Sequence, residues 1–189
     1  VSRRTWQDLQ DGLIPQGIKR TSAFLETIRN AANAVATING MPLPVRRLFL
    51  EFPDRALEAG LPNLTGDLIA LFTSDAVTDE GWKHWLRGLE SSFESLKELK
   101  SFPPGIHPNR RNYFIKAISI LAEERPAAAV WILLDVWTTI CAVLPKSGVL
   151  FKEWLSFCRQ LGLDTKSMAQ RLDTLDTLLD QIEERVEEI

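Results

Sequence analysis

Apolar residues recur at helical spacing through almost the whole chain, and the strict alternation that marks a half-buried strand is almost absent. The pattern predicts helices over 2–13, 21–38, 45–59, 64–72, 78–99, 109–124, 126–144, 149–161 and from 165 to the end. Phe24, Ile28, Ala31, Val35 and Ile38 share one face of the second. Trp82, Trp85, Leu86, Leu89, Phe93 and Leu96 share one face of the fifth. Asn39-Gly40 stops the second helix, Pro53 breaks or kinks the third, and Pro126 suits a first helical position because no backbone donor is lost there. Gly162 is placed to end one helix and Asp164 to cap the next. Short connections favour antiparallel neighbours. The expectation is an all-α, compact multi-helix bundle of roughly eight helices with a long C-terminal helix. It is read as a single helical domain over 1–189, with a subdivision, if any, at the Pro-rich break 101–108.

Two segments depart from ordinary amphipathicity. From Ala127 to Leu144 the chain is apolar almost all round, interrupted by Asp135 between Trp131 and Trp137. A membrane span would be short at this length, and the carboxylate would cost about 2.5–3.5 kcal/mol to insert. A buried central helix is the better reading, with Asp135 hydrogen-bonded or paired to an Arg and the two Trp in the core. In the last helix Leu172, Leu175, Leu179, Ile182, Val186 and Ile189 alternate spacings of three and four, a heptad seam. Arg171 and Asp176 then occupy g and e positions suited to an interhelical ion pair. Such a seam serves either an intramolecular bundle or a partner helix.

Composition narrows the classes. The 189 residues are 45% hydrophobic and carry a formal charge of −3. Nine Phe and six Trp exclude a disordered chain, and the acidic balance excludes nucleic-acid binding by bulk charge. Two Cys in apolar helical patterns read as reduced, buried thiols in a cytoplasmic protein rather than a disulfide framework. The opening Val1-Ser2-Arg3-Arg4-Thr5-Trp6 has no apolar stretch, so no secretory signal is expected.

Charge is unevenly distributed. Residues 1–60 carry eight basic and six acidic side chains, net +2; residues 61–125 carry eight and nine, net −1; residues 126–189 carry six and ten, net −4. Three doublets, Arg3-Arg4, Arg46-Arg47 and Arg110-Arg111, stand at predicted helix starts, where a cation opposes the helix dipole. That placement makes them candidates to hold an anion with free backbone N–H groups and guanidinium forks. His107, Asn109, Arg110, Arg111, Asn112 and Tyr113 form the densest such cluster. The plainer reading pairs each Arg with acidic side chains of neighbouring helices.

Catalytic signatures are missing from the sequence. No Gly-rich phosphate loop, nucleophile elbow or H-E-x-x-H motif occurs. His84 and His107 with two scattered Cys do not have metal-ligand spacing, so neither a metal nor a cofactor is expected. The Glu-x-x-His pairs of di-iron bundles are absent. HEPN-type helical ribonucleases place an Arg four to six residues before a His; the likeness here extends to helical architecture only, because no Arg stands there before His84 or His107. The expectation is therefore a non-enzymatic protein–protein interaction module, self-associating or partnered through Leu172, Leu175, Leu179, Ile182 and Val186, with no membrane role. The alternative is a helical domain, or the helical half of a phosphotransfer-type enzyme. It would hold a phosphate or nucleotide at Arg110 and Arg111, with His107, Arg46 and Arg47 as further anion candidates.

Overall fold

A computed structural model describes residues 2–74 and 79–188. Among them it contains nine α-helices and no strand, so the all-α class holds. The helices are α1 (Ser2–Gln10), α2 (Ile18–Ala36), α3 (Leu48–Glu58), α4 (Leu64–Ala70), α5 (Asp79–Ser95), α6 (Arg111–Glu124), α7 (Pro126–Cys141), α8 (Val149–Gln160) and α9 (Thr165–Glu187). Thr78, expected to open a helix, and Ile189, the last seam position, lie outside the described residues. The helix α3 runs unbroken through Pro53. Burial of Leu48, Phe49, Phe52 and Ala56 holds it together where Pro53 supplies no N–H. At the Pro-rich break Pro104–Ile106 and Pro108–Arg110 form short 3₁₀ turns. Pro tolerates this because each occupies a first-turn position, whose N–H would be unsatisfied in any case.

Packing divides the chain into two units, Val1–Phe72 with Asp164–Ile189 and Thr73–Leu163. The break at 101–108 falls inside the second.

In the first unit α9 lies against α1, α2 and α4, and α2 lies also against α1 and α3. The seam of α9 faces inward. Leu172, Leu175, Leu179 and Ile182 are buried beside a core that includes Phe24, Ile28 and Phe52, and Val186 alone among the described seam residues is exposed. Polar contacts then fix α1 along α9. Arg3 pairs with Asp176, Asp180 and Glu183, and the Trp6 indole donates to the Leu172 carbonyl at 2.9 Å. Arg171 donates to the Ala70 carbonyl at 2.7 Å. The g and e side chains of the seam are thus engaged within this unit. Asp164 caps α9, its Oδ1 accepting from the N–H groups of Lys166 at 2.9 Å and Ser167 at 3.2 Å. The preceding Gly162 has φ 70°, the left-handed conformation that lets α8 end abruptly.

In the second unit α7 is central, with α5, α6 and α8 against it. Its residues 128–134, 136–138, 140 and 141 are buried, as an all-round apolar helix requires. Asp135 is only half-buried, which spares it the full cost of desolvation. Its backbone carbonyl accepts the Thr139 hydroxyl at 2.8 Å. Trp131 and Trp137 are core residues. A buried indole N–H favours an acceptor, and α5 and α7 supply one each to Trp137 and Trp154, whereas the buried Trp85 N–H has none among the described residues. Trp137 donates to Ser92 Oγ at 2.9 Å, Ser92 Oγ donates to the Gly88 carbonyl at 2.8 Å, and Trp154 donates to Thr138 Oγ1 at 3.0 Å. Gly88 is required by contact rather than by conformation, since a Cβ there would lie 2.6 Å from the Trp137 ring. No helix among the described residues is long and apolar enough to cross a membrane.

Candidate interaction face on α6

The second unit carries the strongest candidate cluster from the sequence, and the structure separates its members into different roles. His107 precedes the 3₁₀ turn that opens α6 and caps it: Nδ1 accepts the Asn109 N–H at 3.1 Å. Its ring stands edge-on to Phe102, with centroids 5.1 Å apart. The Nδ1 lone pair is therefore used structurally. Arg111 turns toward α5, where Nη2 reaches Glu90 Oε1 and Nη1 reaches Glu94 Oε1, each at 3.0 Å. Two carboxylates thus neutralise a cation placed against the α6 dipole. Glu94 also binds Lys97. Its carboxyl is held below the usual range, first by the Lys97 hydrogen bond, with partial desolvation opposing, and then by the charges of Lys97 and Arg111.

Arg110 goes the other way. Its guanidinium donates to the Gly105 carbonyl at 3.3 Å and lies over Tyr113 and Phe114, at 5.7 and 5.4 Å from the ring centroids. The adjacent Arg side chains therefore diverge, one ion-paired and one laid on aromatic rings. A similar division holds in the first unit, where Arg3 is ion-paired and Arg4 is exposed. There Arg47 pairs with Glu51 one turn along. Three helix-start cations that the dipole disfavours are offset by carboxylates.

Beyond Arg110, α6 has two apolar faces. Phe114 and Ile118 point into the unit, against which α5 and α7 lie. Tyr113 and Ile120 stand outside, 48% and 49% exposed, with the small Ala117 between them. Tyr113 and Ile120 are seven residues apart, two turns along one line of the helix and about 10 Å of its length. Among the described residues the other large exposed apolar side chains are Leu13, Met41, Leu57, Val149 and Val186, and no two of them share a helix. Isolated exposed apolar residues are ordinary; Tyr113 and Ile120 differ in lying along one line of one helix.

Tyr113 belongs to the cluster expected to hold an anion, whereas Ala117 and Ile120 are not among the candidate residues. The signal was present as a second apolar row, at positions 113, 117 and 120, beside the inward row at 114 and 118. Two rows on one short helix exceed what a single buried face uses. Among the described residues no group of three or more His, Cys, Asp or Glu side chains is placed to hold a metal ion. The chain matches no protein-family model, no curated protein and no solved structure.

Proposed function

We propose that the protein is a non-enzymatic helical interaction module, acting in the cytoplasm, whose partner-facing surface is the outer face of α6. The observation that carries this reading is the aligned exposure of Tyr113 and Ile120 on a helix whose opposite face is buried. An apolar stripe rimmed by charge is the usual form of a helix-mediated contact. The cluster at the start of α6 supports it. His107 caps the turn that opens α6, Arg111 is ion-paired toward α5, and Arg110, lying over Tyr113 and Phe114, rims the face. Placement in the cytoplasm is supported by Cys141 and Cys158, which are free thiols inside the second unit.

This reading moves the contact away from the α9 seam. Leu172, Leu175, Leu179 and Ile182 are already buried in the first unit, so a partner on that seam would have to displace native packing. The test is site-specific photo-cross-linking in cells. A photoreactive residue at position 120 is expected to give a discrete adduct that Tyr113→Asp abolishes, and the same group at Val149 is expected to give none. Equal labelling from both positions, or an adduct indifferent to Tyr113→Asp, would overturn the proposal.

A further inference from the structure

Resting on that reading, we infer that the occupant of the α6 face is the same face of a second copy of this chain, paired antiparallel. The argument is charge and shape on one helix. Around the axis Lys116, Ala117, Ile120 and Glu124 lie within about 60° of Tyr113, and Glu123 within about 80°. Arg110 precedes the first turn and lies over the Tyr113 ring. The face therefore begins with Arg110, carries Lys116 at its middle and ends with Glu123 and Glu124, all outside the buried row. Arg111, the remaining cation at that end, is already held by Glu90 and Glu94.

A surface with a cation at one end, acids at the other and mainly apolar residues between is complementary to itself in one orientation only. Parallel pairing sets like charges together. Antiparallel pairing about a two-fold axis between Lys116 and Ala117 sets Tyr113 on the partner's Ile120 and Arg110 beside the partner's Glu123 and Glu124. The same contacts are repeated by symmetry, as an isologous interface requires. Ala117 at the axis leaves room for close approach and for the Lys116 stem to lie across it. The two helix dipoles also run in opposite directions. A single helix face buries less than the roughly 800 Å² per partner of a standard stable interface, so the dimer is weak and concentration-dependent.

Sedimentation velocity of the full chain is the direct test. The weight-average mass is expected to rise between low micromolar and millimolar protein. Arg110→Glu alone, or Glu123→Arg with Glu124→Arg, is expected to weaken association about five- to tenfold, since each pair occurs twice per dimer. Combining all three substitutions restores the complementary order and is expected to recover association. Ala117→Cys supplies a thiol at the axis while Cys141 and Cys158 stay buried. It should form a disulfide dimer under mild oxidant, whereas Ser91→Cys, on the exposed side of α5, should not. A mass that stays monomeric at millimolar protein overturns self-pairing. So does a dimer that is indifferent to the charge exchange, or Ala117→Cys cross-linking no faster than Ser91→Cys. A monomeric protein whose position-120 adduct in cells contains a different chain would leave the interaction module standing and remove only its symmetric partner. Absence of any adduct at α6 would remove both.

Discussion

The stripes of α9 and α6 differ in legibility and in fate. The first repeats over three heptads and is conspicuous in the sequence, yet four of its residues are buried in the first unit. The second consists of Tyr113, Ala117 and Ile120, is inconspicuous, and stays about half exposed at Tyr113 and Ile120. Periodicity shows that a helix has an apolar side; it does not show which neighbour covers it. The helix with the stronger pattern is the one its own unit can cover, because α1, α2 and α4 all lie against it. The helix with two weaker rows can turn only one of them inward. An exposed contact face is therefore found by subtracting what the fold consumes.

The largest effect that separates the two stripes is thermodynamic. Leu175 is fully buried, and Leu175→Ala should cost about 2–5 kcal/mol through lost transfer energy and the cavity left behind. Ile120→Ala should change stability by no more than about 0.5 kcal/mol, because its side chain is half in water. Urea midpoints with unchanged slopes would measure both. Equal losses would mean that α6 is as covered as α9, and would end the comparison.

The next effect asks whether the inward side of the second unit is as demanding as the α9 seam. Ser92→Ala removes the acceptor for the Trp137 indole, leaves that N–H buried and unpaired, and should cost about 1–3 kcal/mol. Gly88→Ala should cost a similar amount, about 1–3 kcal/mol, by driving a methyl group into the Trp137 ring. Thermal unfolding of the two variants, compared with Ile120→Ala, tests whether all the intolerance of this unit lies on its inner side.

A smaller effect concerns how the two helices begin. Asp164 caps α9 through two backbone N–H groups, whereas Arg110 at the start of α6 makes no side-chain cap. Asp164→Ala should therefore cost about 1 kcal/mol and loosen the first turn of α9. Amide exchange of Lys166 and Ser167 should accelerate. If exchange there were unchanged, the cap would contribute nothing to holding the seam.

Much of this was legible in the residues themselves. The helix positions, the Asp164 cap, the Gly162 stop and the burial of Trp131 and Trp137 follow from local chemistry that acts within a few residues. What was not legible depends on neighbours distant in sequence. Arg111 beside Arg110 looks like an anion fork until Glu90 and Glu94, on α5, are seen to occupy it. Asp135 looks central in its apolar run, but it sits on the half-exposed edge of α7. The division into units is invisible for the same reason: α9 joins α1–α4 across the whole intervening unit, and no composition break at 101–108 reports it.

The last comparison uses a thiol to set the inside of the second unit against its outer face. Cys141 is buried on α7, and burial pushes its thiol up to about 12, because the thiolate would lose its hydration. The unfolded chain ionises near the ordinary cysteine value of about 8.5, so the two states bind protons alike below that pH. Between that value and about 12 the folded state keeps a proton that the unfolded state has lost, and stability falls as pH rises. Cys141→Ala should flatten this alkaline decline, measured as the urea midpoint across the same window, after allowing for its own cavity cost. At pH 8 the native thiol should resist a disulfide reagent and react only on unfolding. A cysteine placed at position 117 on the outer row should react at once under the same conditions. Equal rates at the two positions would show that α7 is no better covered than the outer row of α6, and the distinction between consumed and unconsumed faces would fail inside a single unit.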